Sequence, residues 1–265
     1  MNKLKKLKKI LNDMGSVLIA YSGGVDSTFL LKVAKDVLKD SVLAVTARST
    51  TYSEKEVDCA IQQCAIFGVK HIIIKTEELE NPEFASNPLN RCYHCKTELF
   101  SKLKSIADEK KIKYVADATN YDDVSDYRPG ILAAKELGVK SPLKDVGFTK
   151  KEIRELSKNM NISTWDKPSM ACFASRFPYG TRITKEFLTK ISEGEDFLRN
   201  LGFREIRVRH YGDTVRIELG FKEMTELFKN GISEKIVDKF KKLGYVYVTL
   251  DLQGYRSGSM NEVLK

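Results

Sequence analysis

The chain has 265 residues, a formal net charge of +9 and 42% hydrophobic residues. That length holds one large domain or two smaller ones, and the apolar fraction suits a globular chain with a real core. No apolar run is long enough to cross a bilayer, and the lysines are scattered among glutamates, so the charge permits nucleic-acid binding without arguing for it.

Met1 to Lys9 is lysine-rich and reads as an amphipathic surface helix. No signal-like apolar segment with a small-residue cleavage site follows it, and a cytoplasmic location is expected. Val17 to Tyr21 reads as a buried strand, Ser22-Gly23-Gly24 as a tight turn, and Val25-Asp26-Ser27-Thr28 as the first turn of a helix. Val42 to Val45, Ile72 to Ile74 and Tyr114 to Ala116 read as further strands, with helices over Thr28 to Leu38, Glu54 to Phe67 and Thr97 to Lys110. This alternation predicts an α/β domain with a parallel sheet covered on both faces and ligands at the carboxyl ends of its strands. Ser22, Thr46, Asp117 to Asn120 and the stretch after Ser141 would converge there.

Around Asn161 to Pro178 the pattern stops, and Trp165-Asp166-Lys167-Pro168 and Phe177-Pro178-Tyr179-Gly180 have turn chemistry. A helix over Lys185 to Leu201 follows, then strands over Glu205 to His210 and Thr214 to Leu219 around Tyr211-Gly212-Asp213. Helices near Phe221 to Lys229 and Ser233 to Leu243 and a strand over Tyr245 to Leu250 complete a smaller C-terminal α+β domain. The expected boundaries are 1–165, a connecting segment 166–183 that carries active-site residues, and 184–265.

Three constellations carry chemistry. Gly23 and Gly24 let the backbone approach an anion, Ser22, Ser27 and Thr28 offer hydroxyls, and the helix N-terminus offers N–H groups. Together they make a phosphate cradle; the plainer alternative is a βα turn with an N-cap. Neither a Gly-Lys-Ser/Thr loop nor a spread dinucleotide fingerprint is present.

Of the five cysteines, Cys59 and Cys64 read as small apolar core residues. Cys92 and Cys95 form a Cys-x-x-Cys pair, and Cys172 supplies a third thiol within Met170-Ala171-Cys172-Phe173-Ala174-Ser175-Arg176. If they meet, three thiolates can hold a 4Fe–4S cluster with one open iron, zinc with His94 as the fourth ligand, or no metal, as redox thiols. His94 also reads as a surface histidine. Cys172 stands as a nucleophile candidate by itself, because the nearby Arg176 would lower its thiol pKa.

Arg207 and Arg209 lie two apart on one strand face, with Arg216 on the partner strand. They suit an anionic nucleotide substrate or, as plainly, a solvated ribbon face. Glu195 would order one of these guanidinium groups or be surface charge.

Ser22-Gly23-Gly24-Val25-Asp26-Ser27 resembles the PP-loop of ATP pyrophosphatases, in which ATP adenylates a substrate and pyrophosphate leaves. The resemblance implies ATP held by Ser22, Gly23, Gly24, Asp26, Ser27 and Thr46, and Mg²⁺ placed by Asp26. Over nearly its whole length the chain resembles the ATP-dependent sulfur transferases of the nickel-pincer cofactor pathway, the LarE family. The matching motifs are that loop, Asp117-Ala118-Thr119-Asn120-Tyr121-Asp122-Asp123 with Arg128-Pro129-Gly130, Ala171 to Gly180, the hairpin arginines, and Gly254-Tyr255-Arg256-Ser257-Gly258-Ser259-Met260-Asn261-Glu262.

This resemblance implies adenylation of a carboxylate of a pyridinium-3,5-biscarboxylic acid mononucleotide and its conversion to a thiocarboxylate. Cys172 matches the family's sulfur-supplying cysteine, which some members sacrifice to dehydroalanine. Members with two more cysteines use a 4Fe–4S cluster, and Cys92 and Cys95 place this chain with them. Lys96, Asp123, Arg176 and Glu195 fall at or near positions the family uses, and Arg207, Arg209 and Arg216 would take the substrate phosphate. A homo-oligomer is expected, a hexamer being one candidate, with a sulfide or sulfur donor as a partner and no nucleic acid or membrane. The rival readings are a tRNA thiolase, an ammonia-using ligase such as NAD synthetase, and an ATP-binding regulator without chemistry.

Overall fold

Val17, Ile19, Val42 and Ala44 point to one face of a sheet, and Leu18, Leu43 and Val45 to the other, as strand alternation requires. The computed structural model describes residues 2–125, 129–168, 170–256 and 258–264 and divides the chain into two compact units. The first comprises residues 1–84 and 90–169, the second residues 85–89 and 170–265.

The first unit runs α1 (Lys3–Met14), β1 (Val17–Ala20), α2 (Val25–Leu38), β2 (Val42–Arg48), α3 (Glu54–Phe67) and β3 (Lys70–Lys75). A single turn α4 (Pro82–Ala85) leads out of it. It resumes with α5 (Arg91–Glu109), β4 (Tyr114–Ala116), α6 (Gly130–Glu136), α7 (Pro142–Val146) and α8 (Lys150–Asn159). Its four strands lie in the order β3-β2-β1-β4, all parallel. Leu7 and Leu11 of α1, Phe29 and Val33 of α2, Ala60 and Cys64 of α3 and Ile153 of α8 fill one face; Leu99, Phe100 and Leu103 of α5 and Ala134 of α6 fill the other. Because both faces are covered, the strands are continuously apolar rather than alternating. The expected parallel α/β sheet is the one observed.

Three elements run longer than predicted, β3 (Lys70–Lys75) among them. β2 continues to Arg48 because its pairing with β3 extends to Arg48↔Lys75. α5 starts at Arg91 rather than Thr97, so Cys92 and Cys95 occupy its first turns. Its buried periodic residues begin only at Leu99, which is why apolar spacing finds the later start.

The second unit contains α9 (Lys185–Asn200), β5 (Ile206–Tyr211), β6 (Thr214–Leu219), α10 (Ile232–Lys242) and β7 (Tyr247–Leu250). β5 and β6 are antiparallel, and β7 joins β6 in parallel. Gly212 has φ 61° at the first central position of the β5–β6 turn, a position that two-residue hairpins give to glycine. The predicted helix near Phe221 to Lys229 is a 3₁₀ run, Phe221–Phe228. Val208 and His210 are buried on one face of β5, and Arg207 and Arg209 are buried on the other. Residues 85–89 belong here through the bonds Ile183 N to Ala85 O (2.8 Å) and Gly180 N to Asn87 O (2.9 Å).

Gly194 of α9 lets the helix approach α10 closely: a Cβ there would stand 2.6 Å from Phe240 Cε1. Both residues lie in the core, where rings shift at a cost. Gly194→Ala is expected to lower the unfolding free energy by about 1–3 kcal/mol, measured by urea denaturation; an unchanged midpoint would show that the Phe240 ring has room to turn.

Candidate nucleotide and thiol sites

The loop after β1 is shaped by its own hydrogen bonds. Ser22 Oγ lies 3.1 Å from Ser27 Oγ, Gly24 N donates to Ser22 Oγ at 3.4 Å, and Ser27 Oγ donates to Gly24 O at 3.2 Å. Gly23 has φ 68°, and a Cβ on it would meet Ala60 Cβ of α3 at 3.2 Å, so the turn demands glycine there twice over. Gly24 caps α2 without a side-chain acceptor for the first amides. An uncapped helix start next to two hydroxyls is an anion receptor.

Lys167 holds this loop from behind. Its ammonium donates to Gly23 O (3.1 Å) and contacts Glu56 Oε2 (2.7 Å) and Cys59 Sγ (3.5 Å). A planar peptide sends its carbonyl and its N–H in opposite directions, so fixing Gly23 O fixes the Gly24 N–H toward Ser22 Oγ. Arg154 in turn holds the carbonyls of Trp165 (2.6 Å) and Lys167 (2.8 Å). Lys167 had no sequence signal, since it stands in an aperiodic turn before a proline. Cys64 is buried as expected, whereas Cys59 is half-buried and touches Lys167.

Asp26, in the first turn of α2, accepts at Oδ2 from Lys150 Nζ at 2.5 Å. Its Oδ1 is buried and has no hydrogen-bond partner among the described residues. A buried carboxylate oxygen without a partner fits an oxygen-seeking divalent cation such as Mg²⁺. Thr46, in the second half of β2, donates to Tyr21 O (2.7 Å) and lies 2.8 Å from His71 Nε2. Burial holds the His71 pKa below its usual range.

After β4, Asp123 Oδ2 accepts from Asn120 N (3.0 Å), and Asp122 Oδ2 accepts from Lys150 N at the start of α8 (2.8 Å). Arg128 lies outside the described residues. Gly130 opens α6 against α5, where a Cβ would meet Lys96 Cγ at 2.8 Å and Cys92 O at 3.3 Å. That close approach sets the helix turn bearing Cys92, Cys95 and Lys96. Lys96 Nζ sits over the Phe100 ring, 5.5 Å from its centroid.

Cys92 and Cys95 are half-buried and share one face of α5 at i, i+3 spacing. Cys95 Sγ donates to the buried Glu78 Oε1 at 3.8 Å, and Thr76 Oγ1 donates to the same oxygen at 3.0 Å. His94 is not the exposed surface residue expected: it lies between Glu83 (2.9 Å) and Asn90 (3.2 Å) with 17% of its side chain accessible. Within either unit, the described residues bring no three His, Cys, Asp or Glu side chains together as a metal site.

In the second unit, Cys172 precedes a 3₁₀ turn, Phe173–Arg176. Arg176 is wholly buried and forms a bidentate pair with Glu195, at 2.8 and 3.0 Å. Its remaining nitrogen donates to Ala171 O (2.7 Å), Cys172 O (3.1 Å) and Ser175 Oγ (3.0 Å). Arg176 therefore grips the Cys172 backbone, where sequence had suggested a cation acting on the thiol. The Cys172 thiol has no hydrogen-bond partner among the described residues.

Glu195 and the hairpin arginines are not surface charges. Glu195 is fully buried and also receives Arg199 Nη2 (2.9 Å) and the Val208 amide (3.3 Å). Burial disfavours its charge, but Arg176, Arg207 and Arg199 outweigh that and hold its pKa below the usual range. Arg209 pairs with the buried Glu218 at 2.9 Å on both nitrogens and donates to Ser175 O at 2.7 Å. Arg216 shares Glu218 at 3.1 Å. Arg207 donates to Tyr255 OH (3.1 Å), and burial with Arg176 nearby pushes its pKa down to about 10.

Glu218 carried no signal of its own, being one more acidic residue on a predicted strand. The C-terminal motif enters this network because Gly254, at φ 70°, packs where a Cβ would stand 2.8 Å from Leu219 O. That places Tyr255 on Arg207 and Ser259 Oγ on Arg209 (2.7 Å), while Ser257 lies outside the described residues.

Residues 16–91 match the family model of the queuosine biosynthesis protein QueC. The chain is 35% identical over 255 residues to pyridinium-3,5-bisthiocarboxylic acid mononucleotide synthase of Lactiplantibacillus plantarum, covering 96% of this chain and 92% of that protein. It is 43% identical over 263 residues to an uncharacterized protein of Synechocystis, covering 99% and 98%. An uncharacterized protein of Methanocaldococcus jannaschii is 33% identical over 260 residues, covering 96% and 98%. The parallel sheet, its glycine loop and these matches define an ATP-using enzyme of the PP-loop class. Within that class the chain belongs to the LarE family of sulfurtransferases.

Replacing Lys167 by Met is expected to raise the KM for ATP by about tenfold with little change in melting temperature, because a charge-assisted bond to the loop is lost. Lys167→Arg should recover part of the loss. Pyrophosphate release at varied ATP measures both, and an unaltered KM in Lys167→Met would remove the loop-holding role.

Proposed function

We propose that this sulfurtransferase adenylates a carboxylate of pyridinium-3,5-biscarboxylic acid mononucleotide, releases pyrophosphate, and converts the activated carboxylate to a thiocarboxylate for a nickel-pincer cofactor. The observation that supports this most directly is the network around Cys172. Arg176 holds the Cys172 carbonyl, Arg209 holds the Ser175 carbonyl, and both belong to one buried charge cluster. Among the described residues of the second unit, Arg176, Arg207 and Arg209 are buried beside Glu195 and Glu218. Guanidinium groups gathered in this way suit bidentate recognition of an anionic ligand. Arg207 and Arg209, with Arg216 at the edge, are the partners we assign to the substrate phosphate, Glu218 ordering Arg209 and Arg216 and Glu195 completing the cluster through Arg176 and Arg199.

The division of labour follows. Residues 1–165 bind ATP through Ser22, Gly23, Gly24 and Ser27, with Thr46 bracing the strand ends and Asp26 taking Mg²⁺. Lys96 and Asp123 serve the adenylation step, with Arg176 setting the geometry of Cys172 in segment 166–183. Residues 184–265 bind the substrate and mediate self-association into a homo-oligomer, up to a hexamer. Phe221, Phe228 and Leu252, each at least 77% exposed, are the apolar surface for that contact.

Cys92 and Cys95 share one helix face, and with Cys172 we assign them as the three soft ligands of a 4Fe–4S cluster with an open iron. Bound there, the cluster would furnish sulfide, drawn from a sulfur donor, as the nucleophile toward the activated carbonyl. Such thiols require a reducing compartment, and we place the reaction in the cytoplasm; no helix among the described residues is long and apolar enough to cross a membrane.

The test uses anaerobically reconstituted protein with Mg-ATP and the biscarboxylate mononucleotide. About four irons per chain and a thiocarboxylate product seen by mass spectrometry are the expected results. Cys172→Ala should abolish sulfur transfer and leave pyrophosphate release measurable; loss of both in a folded variant would make Cys172 structural. Colourless protein containing zinc would remove the cluster. Sulfur transfer to tRNA instead of the mononucleotide would move the chain to the thiolases.

A further inference from the structure

Lys150 has a fixed root and a movable head. Its amide donates to Asp122 Oδ2 at 2.8 Å. The preceding Thr149 and Glu152 form a reciprocal capping box that locks the start of α8. The flexible four-carbon stem beyond this anchor carries an ammonium, and the side chain is 30% exposed. That ammonium sits on Asp26 Oδ2 at 2.5 Å, while Asp26 Oδ1 remains buried without a hydrogen-bond partner among the described residues. One carboxylate thus has one oxygen neutralised and one buried oxygen left bare, a state held at a cost.

We infer that Lys150 is a resident counter-cation for Asp26, displaced when a divalent cation takes the carboxylate, and thereafter a ligand to the phosphates that the cation brings. This rests on the reading above that Asp26 serves Mg-ATP. The argument is one of charge. An ammonium and a divalent cation on the same carboxylate repel each other, so the mobile one leaves. The metal ion and its nucleotide arrive together, and the departing ammonium then has an anion within reach of its stem. Lys150 is a positioning residue in the first state and a phosphate-binding residue in the second.

Such a role has a signature that a simple structural ion pair lacks. Removing the ammonium should help a bare cation, which no longer competes for Asp26, and harm a cation–phosphate complex, which loses a positive partner. The experiment measures Mn²⁺ binding by electron paramagnetic resonance and Mg-pyrophosphate binding by calorimetry, in wild type and in Lys150→Met. The expected result is Mn²⁺ bound about tenfold more tightly and Mg-pyrophosphate about tenfold more weakly, the scale of one charge-assisted contact. Lys150→Arg, which restores the charge, should return both constants toward wild type.

Constants that move in the same direction, or stay where they are, overturn the inference. Wild-type protein that binds no Mg-pyrophosphate would instead overturn the ATP reading itself. Should Lys150→Met fail to fold by circular dichroism, Lys150→Gln takes its place; failure of both also overturns the inference, since the pair would then be structural.

Discussion

A guanidinium taken out of water is costly unless acceptors go with it, and where the acceptor is a carboxylate the planar fork leaves little freedom in how the two lie. The second unit meets this demand with Arg176 on Glu195 and Arg209 on Glu218, all four buried. Once those pairs are in place, the leftover donors of both arginines point at the carbonyls of Ala171, Cys172 and Ser175. The conformation of the cysteine-bearing turn is therefore a by-product of charge burial. The C-terminal segment adds to it, with Ser259 bridging Arg209 and Glu218.

The same device recurs in the first unit. From Trp165 to Lys167 the chain has no regular secondary structure, so its carbonyls need partners from elsewhere. Arg154 takes two of them, and Lys167 passes the favour on to Gly23. Long cationic side chains on carbonyl oxygens do here what a helix or sheet ladder does in ordinary segments. They hold irregular backbone still.

The sequence was legible where periodicity or a dense motif speaks. The strands over Val17 to Ala20 and Tyr114 to Ala116 and the helix over Glu54 to Phe67 stand where apolar spacing put them. The family followed from the glycine loop together with the motifs at Ala171 to Gly180 and Gly254 to Glu262. The helical setting of Cys92 and Cys95 was hidden, because the first two turns of α5 present few apolar residues to count. Lys150, Lys167 and Glu218 were hidden for a different reason. Lys150 and Lys167 act on residues 124 and 144 positions away, Asp26 and Gly23, and Glu218 acts across the hairpin on Arg209; a lone charged residue does not name its partner.

Residues 85–89 have a consequence for how the gene can be cut. They lie in the middle of the first unit's sequence yet belong to the second, where Asn87 receives Gly180 and donates to Pro178 O at 2.7 Å. Two excursions of the polypeptide thus build one body. A C-terminal fragment begun at Met170 would be missing a strip of its own interior wall, while an N-terminal fragment stopped before it would carry that strip with nothing to cover. The two halves of the molecule are separate in architecture and inseparable as reading frames.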